Sequence, residues 1–336
     1  MTRASPAGQR RSPSLSTRVR GRRRTRLHRR NVVAAAPDVA RPPGRGVQGS
    51  GDALPARAPR LRKRPPLLDV AALGSIAALC RRGLIDPPTE ADLQASLFTP
   101  GFDVSVRGDP ERGVVASCVR DGGAYLRLLV VDPEARGRGL GTELLCAAEA
   151  DLEPATSITV GADAPDYLFP GVETTQLEML CLLEHHHYTR GEANYNLLVD
   201  LDHLPPAPSA AEATLGRAAD ASEIDAWMVA HWPFWRTEVA RCLARDRLVI
   251  ARDDEGISAF CCWDGARTGW VGPVGVRPSL VGQGRGRGVL VAALHRLRAS
   301  GRHQAEIGWV GPIGPYARTA PSVIHRVFFV YRKQLA

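Results

Sequence analysis

A glycine-rich hexapeptide, Arg136-Gly137-Arg138-Gly139-Leu140-Gly141, decides the fold that we expect for this chain. It follows a β-rich run at residues 124–131 and the turn residues Asp132-Pro133, and it precedes a segment at residues 142–150 whose apolar residues recur at helical spacing. These features predict a strand, a tight turn and a helix. Such a turn gathers several backbone N–H groups beside the positive end of the helix dipole, where an anion binds favourably.

The same pattern recurs later in the chain. A strand-like run at residues 270–276 and the pair Arg277-Pro278 lead to Gln283-Gly284-Arg285-Gly286-Arg287-Gly288, and a helical segment follows at residues 289–298. Gln283 lies 147 residues after Arg136. Internal repetition over this length indicates two copies of one structural unit.

The two copies also agree beyond the hexapeptide. A short strand-like run that ends in glycine lies at residues 158–161 in the first copy and at residues 305–308 in the second, again 147 residues apart. The second copy carries Ser279-Leu280-Val281-Gly282 where the first has only Glu134-Ala135. We therefore expect a two-residue insertion in the second turn.

Each hexapeptide is preceded by the same set of predicted elements, two helices and a two-stranded hairpin. In the first copy these are residues 67–82, 90–98, 102–107 and 114–120, and in the second copy residues 220–230, 238–245, 248–252 and 257–263. A proline-rich linker separates the copies. We predict an arginine-rich extension at residues 1–64, a first domain at 65–203 (the first half), a linker at 204–212 and a second domain at 213–336 (the second half).

The positive charge of the chain is confined to its N-terminal extension. The formal net charge is +9, and residues 1–64 carry 17 Arg and one Lys against two Asp, a net +16, which leaves −7 for residues 65–336. A segment with so few large apolar residues cannot offset the entropy of ordering it, so we expect it to be disordered. We expect no nucleic-acid partner except through this basic segment.

Composition also bears on location and metal chemistry. No run approaches the roughly 18 apolar residues of a membrane-spanning helix, and no secretion signal is evident, so we expect a soluble cytoplasmic protein without a membrane partner. The seven cysteines include no Cys-x-x-Cys pair. The run His185-His186-His187 cannot converge on one ion from successive helical positions. We expect no metal, and a monomer or a homodimer.

The spacing of the glycines selects among phosphate-binding turns. A P-loop needs Gly-x-x-x-x-Gly-Lys-Ser/Thr, and no lysine follows either hexapeptide directly. A dinucleotide-binding turn needs Gly-x-Gly-x-x-Gly, but the third position holds Thr142 in the first copy and Val291 in the second. Neither pattern fits.

Both hexapeptides resemble motif A of the GNAT acetyltransferase superfamily, Arg/Gln-x-x-Gly-x-Gly/Ala, whose backbone amides hold the pyrophosphate of coenzyme A. The resemblance covers most of residues 67–336. It implies two tandem GNAT domains of the α/β (α+β) class, each a mixed, mostly antiparallel sheet flanked by helices, with acetyl-CoA as the acetyl donor. The implied contacts are made to pantetheine by Leu129, Val130, Val131, Val274, Gly275 and Val276, and to pyrophosphate by Arg136, Gly137, Arg138, Gly139, Leu140, Gly141, Gln283, Gly284, Arg285, Gly286, Arg287 and Gly288.

The resemblance also implies catalytic residues. Members of the family commonly use a tyrosine after the fifth strand to protonate the departing thiolate, and Tyr316 stands at that place. The corresponding position in the first half is Leu183, which cannot supply a proton. Glu306, on the strand beside the acceptor channel, is the candidate general base, with His231 as the other option.

Aromatic residues favour an acceptor pocket in the second half. All six tryptophans lie there, and Trp232-Pro233-Phe234-Trp235 occurs where the family builds its acceptor wall. In the first half, Tyr167-Leu168-Phe169-Pro170-Gly171-Val172 is an apolar insert that either covers its own cleft or contacts the other domain. An aromatic core or a domain interface remains the alternative explanation for the tryptophans.

The leading hypothesis is an N-acetyltransferase that moves the acetyl group of acetyl-CoA to a primary amine of a small molecule. The second half is the candidate for catalysis, because it alone carries the tyrosine. Two alternatives stay open. One is a CoA-binding regulator without turnover. The other is acetylation of a cysteinyl amine, implied by a distant similarity to mycothiol synthase, a tandem member of the family whose Asn-rich stretch we do not find here.

Overall fold

A computed structural model describes residues 64–335 of the chain, apart from positions 102, 121, 154, 166, 210 and 211. In these residues the helices are Leu73–Gly83 (α1), Glu90–Leu97 (α2), Leu140–Asp151 (α3), Leu177–His185 (α4), Ala221–His231 (α5), Arg236–Ala244 (α6), Arg285–Ala299 (α7) and Ile313–Ala317 (α8). The strands of the first half are Val104–Asp109 (β1), Gly113–Arg120 (β2), Gly123–Val131 (β3), Ser157–Val160 (β4), Val172–Glu173 (β5) and Thr189–Asp200 (β6). Those of the second half are Thr214–Leu215 (β7), Leu248–Asp253 (β8), Gly256–Trp263 (β9), Trp270–Val276 (β10), Gln304–Val310 (β11) and Ser322–Gln334 (β12).

The extension predicted to be disordered, residues 1–64, lies outside the described residues except for Arg64. Within the described ranges, no helix is long and apolar enough to cross a membrane.

The helices and strands predicted from the sequence are present in both halves. Local chemistry explains where several of them begin. At the start of α2, the Thr89 hydroxyl accepts a hydrogen bond from the Asp92 N–H (3.2 Å), and the Asp92 carboxylate accepts one from the Thr89 N–H (2.9 Å). This reciprocal cap satisfies two N–H groups that the helix itself leaves without acceptors.

The strands form one continuous, mostly antiparallel sheet across both halves. Their order is β1-β2-β3-β4-β12-β6-β11-β10-β9-β8-β7, with β5 paired to β12. Only β3 with β4 and β10 with β11 run parallel. The predicted fold class is confirmed, although the sequence indicated a separate sheet for each half.

The two halves are joined because they exchange their last strands. The second half's last strand, β12, lies between β4 and β6 of the first half, and the first half's last strand, β6, lies between β12 and β11. The long pairing of β6 with β12 therefore occupies the centre of the sheet. Neither half completes its own sheet, so the halves hold each other by backbone hydrogen bonds as well as by side-chain packing.

Helices cover both faces of the sheet in each half. In the first half, Val115 of β2 packs under α3 and α4, while its neighbour Ala116 packs under α1 and α2. In the second half, Cys261 of β9 packs under α7, while Phe260 packs under α5 and α6. This alternation follows from the two-residue period of a strand.

A buried network of charges ties the halves together beside the exchanged strands. Arg326 of β12, only 4% exposed, pairs with Glu173 of β5 (2.9 Å) and with Asp86. Asp86 follows α1 and also accepts a hydrogen bond from Arg267 of the second half (2.8 Å). A buried carboxylate such as Glu173 is tolerated only with a partner of opposite charge, so Arg326 fixes this region.

We expect Arg326→Ala to lower the free energy of unfolding by about 3 kcal/mol, because it leaves the Glu173 charge buried without compensation. The matched control is Arg332→Ala on the same strand, whose pair with Glu192 is about half exposed at both partners and contributes roughly 1 kcal/mol or less. Urea denaturation followed by circular dichroism compares the two variants. Equal losses in both would contradict a structural role for the buried network.

Candidate functional site

The first glycine turn has the geometry of an anion site. The Asp132 carboxylate accepts a hydrogen bond from the Glu134 N–H (3.0 Å), which sets a short 3-10 turn after β3. Gly137 and Gly139 follow with φ angles of 70° and 84°, and Gly139 caps the N-terminus of α3. Side chains rarely adopt such positive φ angles, so glycine is required for the backbone to pass from the strand into the helix here.

The second turn has the same backbone geometry as the first. Its two positive-φ glycines, however, lie two residues earlier in the chain than the sequence predicts. Gly282 (φ 87°) and Gly284 (φ 84°) take the places of Gly137 and Gly139, and α7 begins directly after Gly284. The two turns are therefore offset by 145 residues, since 284 minus 139 is 145. Alternating glycines continue to Gly288, so the glycine spacing fits two registers, and only the one that begins at Gln283 has Arg or Gln at the first position. The sign of φ selects the other register, which begins at Val281.

The expected two-residue insertion in the second turn is therefore wrong. The 3-10 turns that precede the glycines have equal length, Pro133–Ala135 in the first half and Pro278–Leu280 in the second. Residues 285–288 form the first turn of α7, whereas the sequence indicated a helix from residue 289. The extra residues lie further on, because α7 has 15 residues and α3 has 12.

The new register changes which side chains flank the second turn. Val281, 43% exposed, stands where the first turn has Arg136, and Gln283 stands where it has Arg138. Arg285 and Arg287 lie within the first helical turn, beside the N–H groups of the helix terminus. Their contact with a pyrophosphate remains a prediction, as does that of the whole set implied by the resemblance.

Beyond each turn, two parallel strands separate and leave a gap in the sheet. In the first half, β3 and β4 pair only from Ala124 to Leu126 on β3. The Asp132 N–H then bonds to the Arg112 carbonyl (2.8 Å). Residues that bond to the partner strand alternate along an antiparallel pair, so Val130, like Asp132, directs its backbone groups toward β2. The backbone groups of Leu129 and Val131 point the other way, into the gap.

The second half repeats this arrangement. Strands β10 and β11 pair only at Trp270 and Val271 of β10. The Arg277 N–H bonds to the Ser258 carbonyl (2.8 Å), so the backbone groups of Val274 and Val276 point into the gap. An extended ligand arm can therefore pair with alternate residues only. Val130 and Gly275, which the resemblance included, have their backbone groups directed to the neighbouring strand.

A side chain caps the carbonyl of the last strand residue in each half. Arg136 Nε donates to the Val131 carbonyl (3.2 Å), and Arg136 also donates to the Gly83 carbonyl (2.9 Å). In the second half, which has Val281 in place of this arginine, Trp232 Nε1 donates to the Val276 carbonyl (3.3 Å). The two gaps have the same backbone arrangement, but different side chains, Arg136 and Trp232, lie at their ends.

A cavity of about 600 Å³ opens beside the first turn. Its walls include Arg82 of α1, Arg112 of the β1–β2 turn and Arg138 between the turn's two glycines. Arg82 is bound to Asp132 (2.6 Å), whereas Arg112 and Arg138 are exposed. The walls also include the carboxylates of Glu111, Asp132 and Glu134, so three arginines face three acidic residues. The positive end of the α3 dipole is therefore the feature that favours an anion here.

The gap of the first half is filled where the strands part. Arg127 lies at a β-bulge opposite β2 and is 3% exposed. Its guanidinium pairs with Asp163, which is 1% exposed, and donates to the Ser96 carbonyl. The cavity that remains in this gap is only about 30 Å³. This buried ion pair occupies the place where a group carried along the gap would meet an acceptor.

The equivalent place in the second half is open. The β-bulge there contains Gly272-Pro273 and no charged side chain. A methyl group added to Gly272 would meet a single atom within 4 Å, the Gly308 carbonyl oxygen at 3.9 Å. The second gap therefore has no side chain at the place from which Arg127 fills the first.

Tyr316 lies in the same half of the chain. It is half-buried on α8 and packs against the same core cluster as Val274 and Val276. Burial raises the pKa of Tyr316 to about 12, with a smaller contribution from the Cys261 thiol. The phenol is therefore protonated at neutral pH and is able to donate. Leu183 of α4 is fully buried in the first half.

Glu306 is 9% exposed and is held by neighbouring polar groups. Its carboxylate accepts a hydrogen bond from Asn196 Nδ2 (2.8 Å) and lies 3.6 Å from the Arg326 guanidinium. Asn196 Oδ1 in turn accepts from the Trp309 N–H (2.8 Å), where the backbone has a φ of 47°. Glu306 thus holds Asn196, and Asn196 holds Trp309 in a left-handed conformation.

The other candidate base, His231, is the last residue of α5, and its ring lies 5.2 Å from that of Trp227.

Aromatic rings from both halves meet next to Glu306. The Tyr167 ring lies 5.1 Å from that of Trp309 and 6.1 Å from that of Trp270, and the Trp235 ring lies 6.2 Å from that of Trp309. Tyr167 belongs to the insert of the first half. Both expectations for that insert are met: Phe169, Gly171 and Val172 line the small cavity of the first gap, and Tyr167 contacts the other half. We name these four residues, Tyr167, Trp235, Trp270 and Trp309, the junction cluster.

Several residues that shape the site are missing from the sequence-based set. Arg127 and Asp163 close the first gap, and Arg326 and Arg267 occupy the junction. One signal was available, because an arginine inside an apolar strand such as residues 124–131 usually has a buried partner. The identity of each partner depends on the tertiary structure. Among the described residues, no group of three His, Cys, Asp or Glu side chains is arranged to hold a metal ion.

Comparisons with known proteins agree with this geometry. The acetyltransferase (GNAT) family model matches residues 105–163, which include β2, β3, the first turn and α3. No protein of curated function matches the sequence significantly.

Solved structures resemble the whole described chain. A fungal multi-domain GH3 beta-N-acetylglucosaminidase with a GCN5-related glucosamine N-acetyltransferase region is 20% identical at a TM-score of 0.65, and the match covers 80% of this chain and 38% of that one. A GCN5-related N-acetyltransferase from Sphaerobacter thermophilus is 20% identical at a TM-score of 0.56, covering 81% and 94%. A tandem GNAT protein from the clavulanic acid biosynthesis pathway is 17% identical at a TM-score of 0.57, covering 80% and 97%.

At these identities the solved structures establish the fold, and the family match lies on the first of the two glycine turns. The chain therefore contains a domain of the acetyltransferase (GNAT) family, and it has the two-domain fold of a tandem GNAT protein.

Proposed function

We propose that this protein is an N-acetyltransferase that moves the acetyl group of acetyl-CoA to a primary amine of a small molecule, with the chemistry in its second half. The observation that carries the proposal is the difference between the two gaps. Gly272 leaves the second gap open in the half that contains Tyr316, whereas the ion pair of Arg127 and Asp163 fills the first. A ligand arm in the second half reaches an acceptor, and one in the first half does not.

The residues of the second half supply the binding groups for acetyl-CoA. The N–H groups at Gly282, Gly284 and the start of α7 form the cradle for the pyrophosphate. The backbone groups of Val274 and Val276 face the pantetheine arm. This arrangement directs the thioester toward the bulge at Gly272-Pro273, where the Val274 N–H points into the gap and polarises its carbonyl.

The transfer itself requires a neutral amine and a protonated acid. The amine nitrogen attacks the thioester carbon, the C–N bond forms, and the C–S bond then breaks. The Tyr316 hydroxyl gives its proton to the departing thiolate, and the amine loses its own proton to water. Glu306 contributes by fixing Asn196 and Trp309, because its oxygens are already engaged with Asn196 and Arg326.

Direct transfer in a ternary complex is favoured over an acyl-enzyme intermediate. A nucleophile for such an intermediate would be a cysteine near Tyr316. The Cys261 thiol acts on the pKa of Tyr316, but it is fully buried. Burial raises the pKa of Cys261 well above its usual value, and the Cys242 thiol adds to the effect. The reactive thiolate is therefore scarce at neutral pH.

The first half is proposed to bind CoA without transferring its acetyl group. It keeps the glycine cradle, backbone groups of Leu129 that point into the gap, and the adjoining cavity with Arg112 and Arg138. A CoA-binding regulator without turnover in either half is the second candidate. Release of free thiol from acetyl-CoA in the presence of a panel of primary amines distinguishes the two: tight CoA binding without release supports the regulator.

We expect Tyr316→Phe to lower kcat by roughly tenfold to a hundredfold and to leave the affinity for acetyl-CoA unchanged, because the hydroxyl acts as the thiolate forms. A pKa of about 12 also means that Tyr316 stays protonated as the pH rises, so its deprotonation does not reduce kcat below about pH 10. Steady-state kinetics between pH 6 and 10 measure both effects. Tyr188→Phe, the same deletion in the buried core of the first half, is the control. Unchanged turnover in Tyr316→Phe would remove this residue from the mechanism.

Alanine at the glycine that caps each helix tests which half carries the reaction. The φ of 84° at Gly284 and Gly139 costs a side chain about 1–2 kcal/mol, so either substitution distorts its own cradle. We expect Gly284→Ala to raise the KM for acetyl-CoA about tenfold and Gly139→Ala to leave the kinetics unchanged while weakening CoA binding at one site. Calorimetric titration with CoA, together with initial rates, provides the comparison. A loss of turnover in Gly139→Ala alone would assign catalysis to the first half.

A further inference from the structure

The junction cluster lies where an acceptor would approach the second gap. Trp270 is paired with Glu306 just before β10 and β11 separate, and Trp309 directly follows Gly308, which borders the opening. Tyr167 reaches this place from the first half, with its ring edge-on to that of Trp309 (81°). The acceptor side of the second half is therefore built by both halves.

The cluster has a buried floor and an accessible rim. Trp270 and Tyr167 are 5% and 6% exposed, whereas Trp235 and Trp309 are half-buried. Phe234, next to Trp235 and 5.1 Å from its ring, is 59% exposed. The exposure of these rings increases from the floor to the rim. A flat apolar ligand can stack on a ring face or contact a ring edge at the rim.

The surroundings of the cluster also suit a cation. The Arg267 guanidinium lies over the Trp270 ring at 5.0 Å, so the π-faces here already accept positive charge. Burial raises the pKa of Tyr167 well above its usual value; the carboxylates of Glu238 and Glu306 add to the rise, and the Arg267 guanidinium opposes it. The faces of the half-buried Trp235 and Trp309 rings can accept an ammonium group in the same way.

Several polar groups of the junction are already engaged with the protein, and the Nε atoms of Arg267 and Arg326 are buried without a hydrogen-bond partner. The Trp309 N–H is bound to Asn196, Glu306 is bound to Asn196 and Arg326, and Arg267 is bound to Asp86. A strongly hydroxylated acceptor, such as an amino sugar, would need several polar groups to replace its hydration. An aromatic ring needs only the surfaces that the cluster offers.

We propose that the acceptor is a primary amine joined by a short chain to an aromatic ring, which stacks on Trp235 and Trp309 while its amino group reaches the opening at Gly272. This inference rests on the proposed function and specifies its substrate class. It makes Tyr167 of the first half a specificity residue for the reaction of the second half. The tandem arrangement then has a chemical purpose, since the acceptor site is incomplete without the other half.

The test compares initial rates of thiol release from acetyl-CoA by the full chain with four amines: 2-phenylethylamine, propylamine, phenylalanine and glucosamine. We expect kcat/KM for 2-phenylethylamine to exceed that for each of the others at least tenfold. Equal rates for propylamine, or a preference for glucosamine or phenylalanine, would overturn the inference and leave the proposed acetyltransferase function standing. Absence of thiol release with every amine would overturn both.

Two variants show whether the junction cluster is responsible. Trp235→Leu keeps an apolar side chain but removes a half-buried ring, and it should raise the KM for 2-phenylethylamine about threefold to tenfold with little change in kcat or in the KM for propylamine. Tyr167→Leu should have the same effect from the first half. Val229→Ala, at a 53% exposed position of α5, is the control. Equal changes in KM for both amines in Trp235→Leu would contradict the proposal, even if the more buried Tyr167 variant failed to fold.

Discussion

The antiparallel pairing of β6 with β12 is the constraint on which the rest of the structure depends. Each of these strands ends one half of the chain and completes the sheet of the other. Since backbone hydrogen bonds fix their register, the halves cannot slide or rotate against each other without breaking the centre of the sheet. The loops near this pairing are therefore held in place as firmly as the strands.

That fixed arrangement makes two similar folds into two different sites. Arg267 and Arg326 of the second half bind Asp86 and Glu173 beside the first gap, and Tyr167 of the first half joins the rings beside the second gap. Each half thus supplies side chains to the other. The first gap is filled by its own Arg127 and Asp163, and the second gains aromatic side chains from both halves. On the function proposed above, duplication of the fold permits one half to bind CoA while the other performs the transfer.

Sequence patterns predicted the elements and the two glycine turns because these depend on local rules. Alternation of apolar residues identifies strands, and glycine at a strand-to-helix junction identifies a turn. They failed at the register of the second turn, because the glycines alternate from Gly282 to Gly288 and Gln283 satisfies the first position of the motif in the register that the backbone φ angles exclude. Local patterns also carry no information on which distant strand becomes a neighbour. The position of β12 between β4 and β6 therefore could not be predicted from the sequence.

The same distinction applies to the site residues. Tyr316 was found from a motif, and the structure places it against the core beside Val274. Glu306 was chosen for its position on a strand, but its hydrogen bond is made with Asn196, a residue 110 positions away that only the exchanged strand brings near.

The central claim is that the acetyl group is transferred in the second gap. A crystal structure of the full chain with acetyl-CoA tests it most directly: the account predicts the thioester between Gly272 and Tyr316, whereas an acetyl group beside Arg127 with the second gap empty would contradict it.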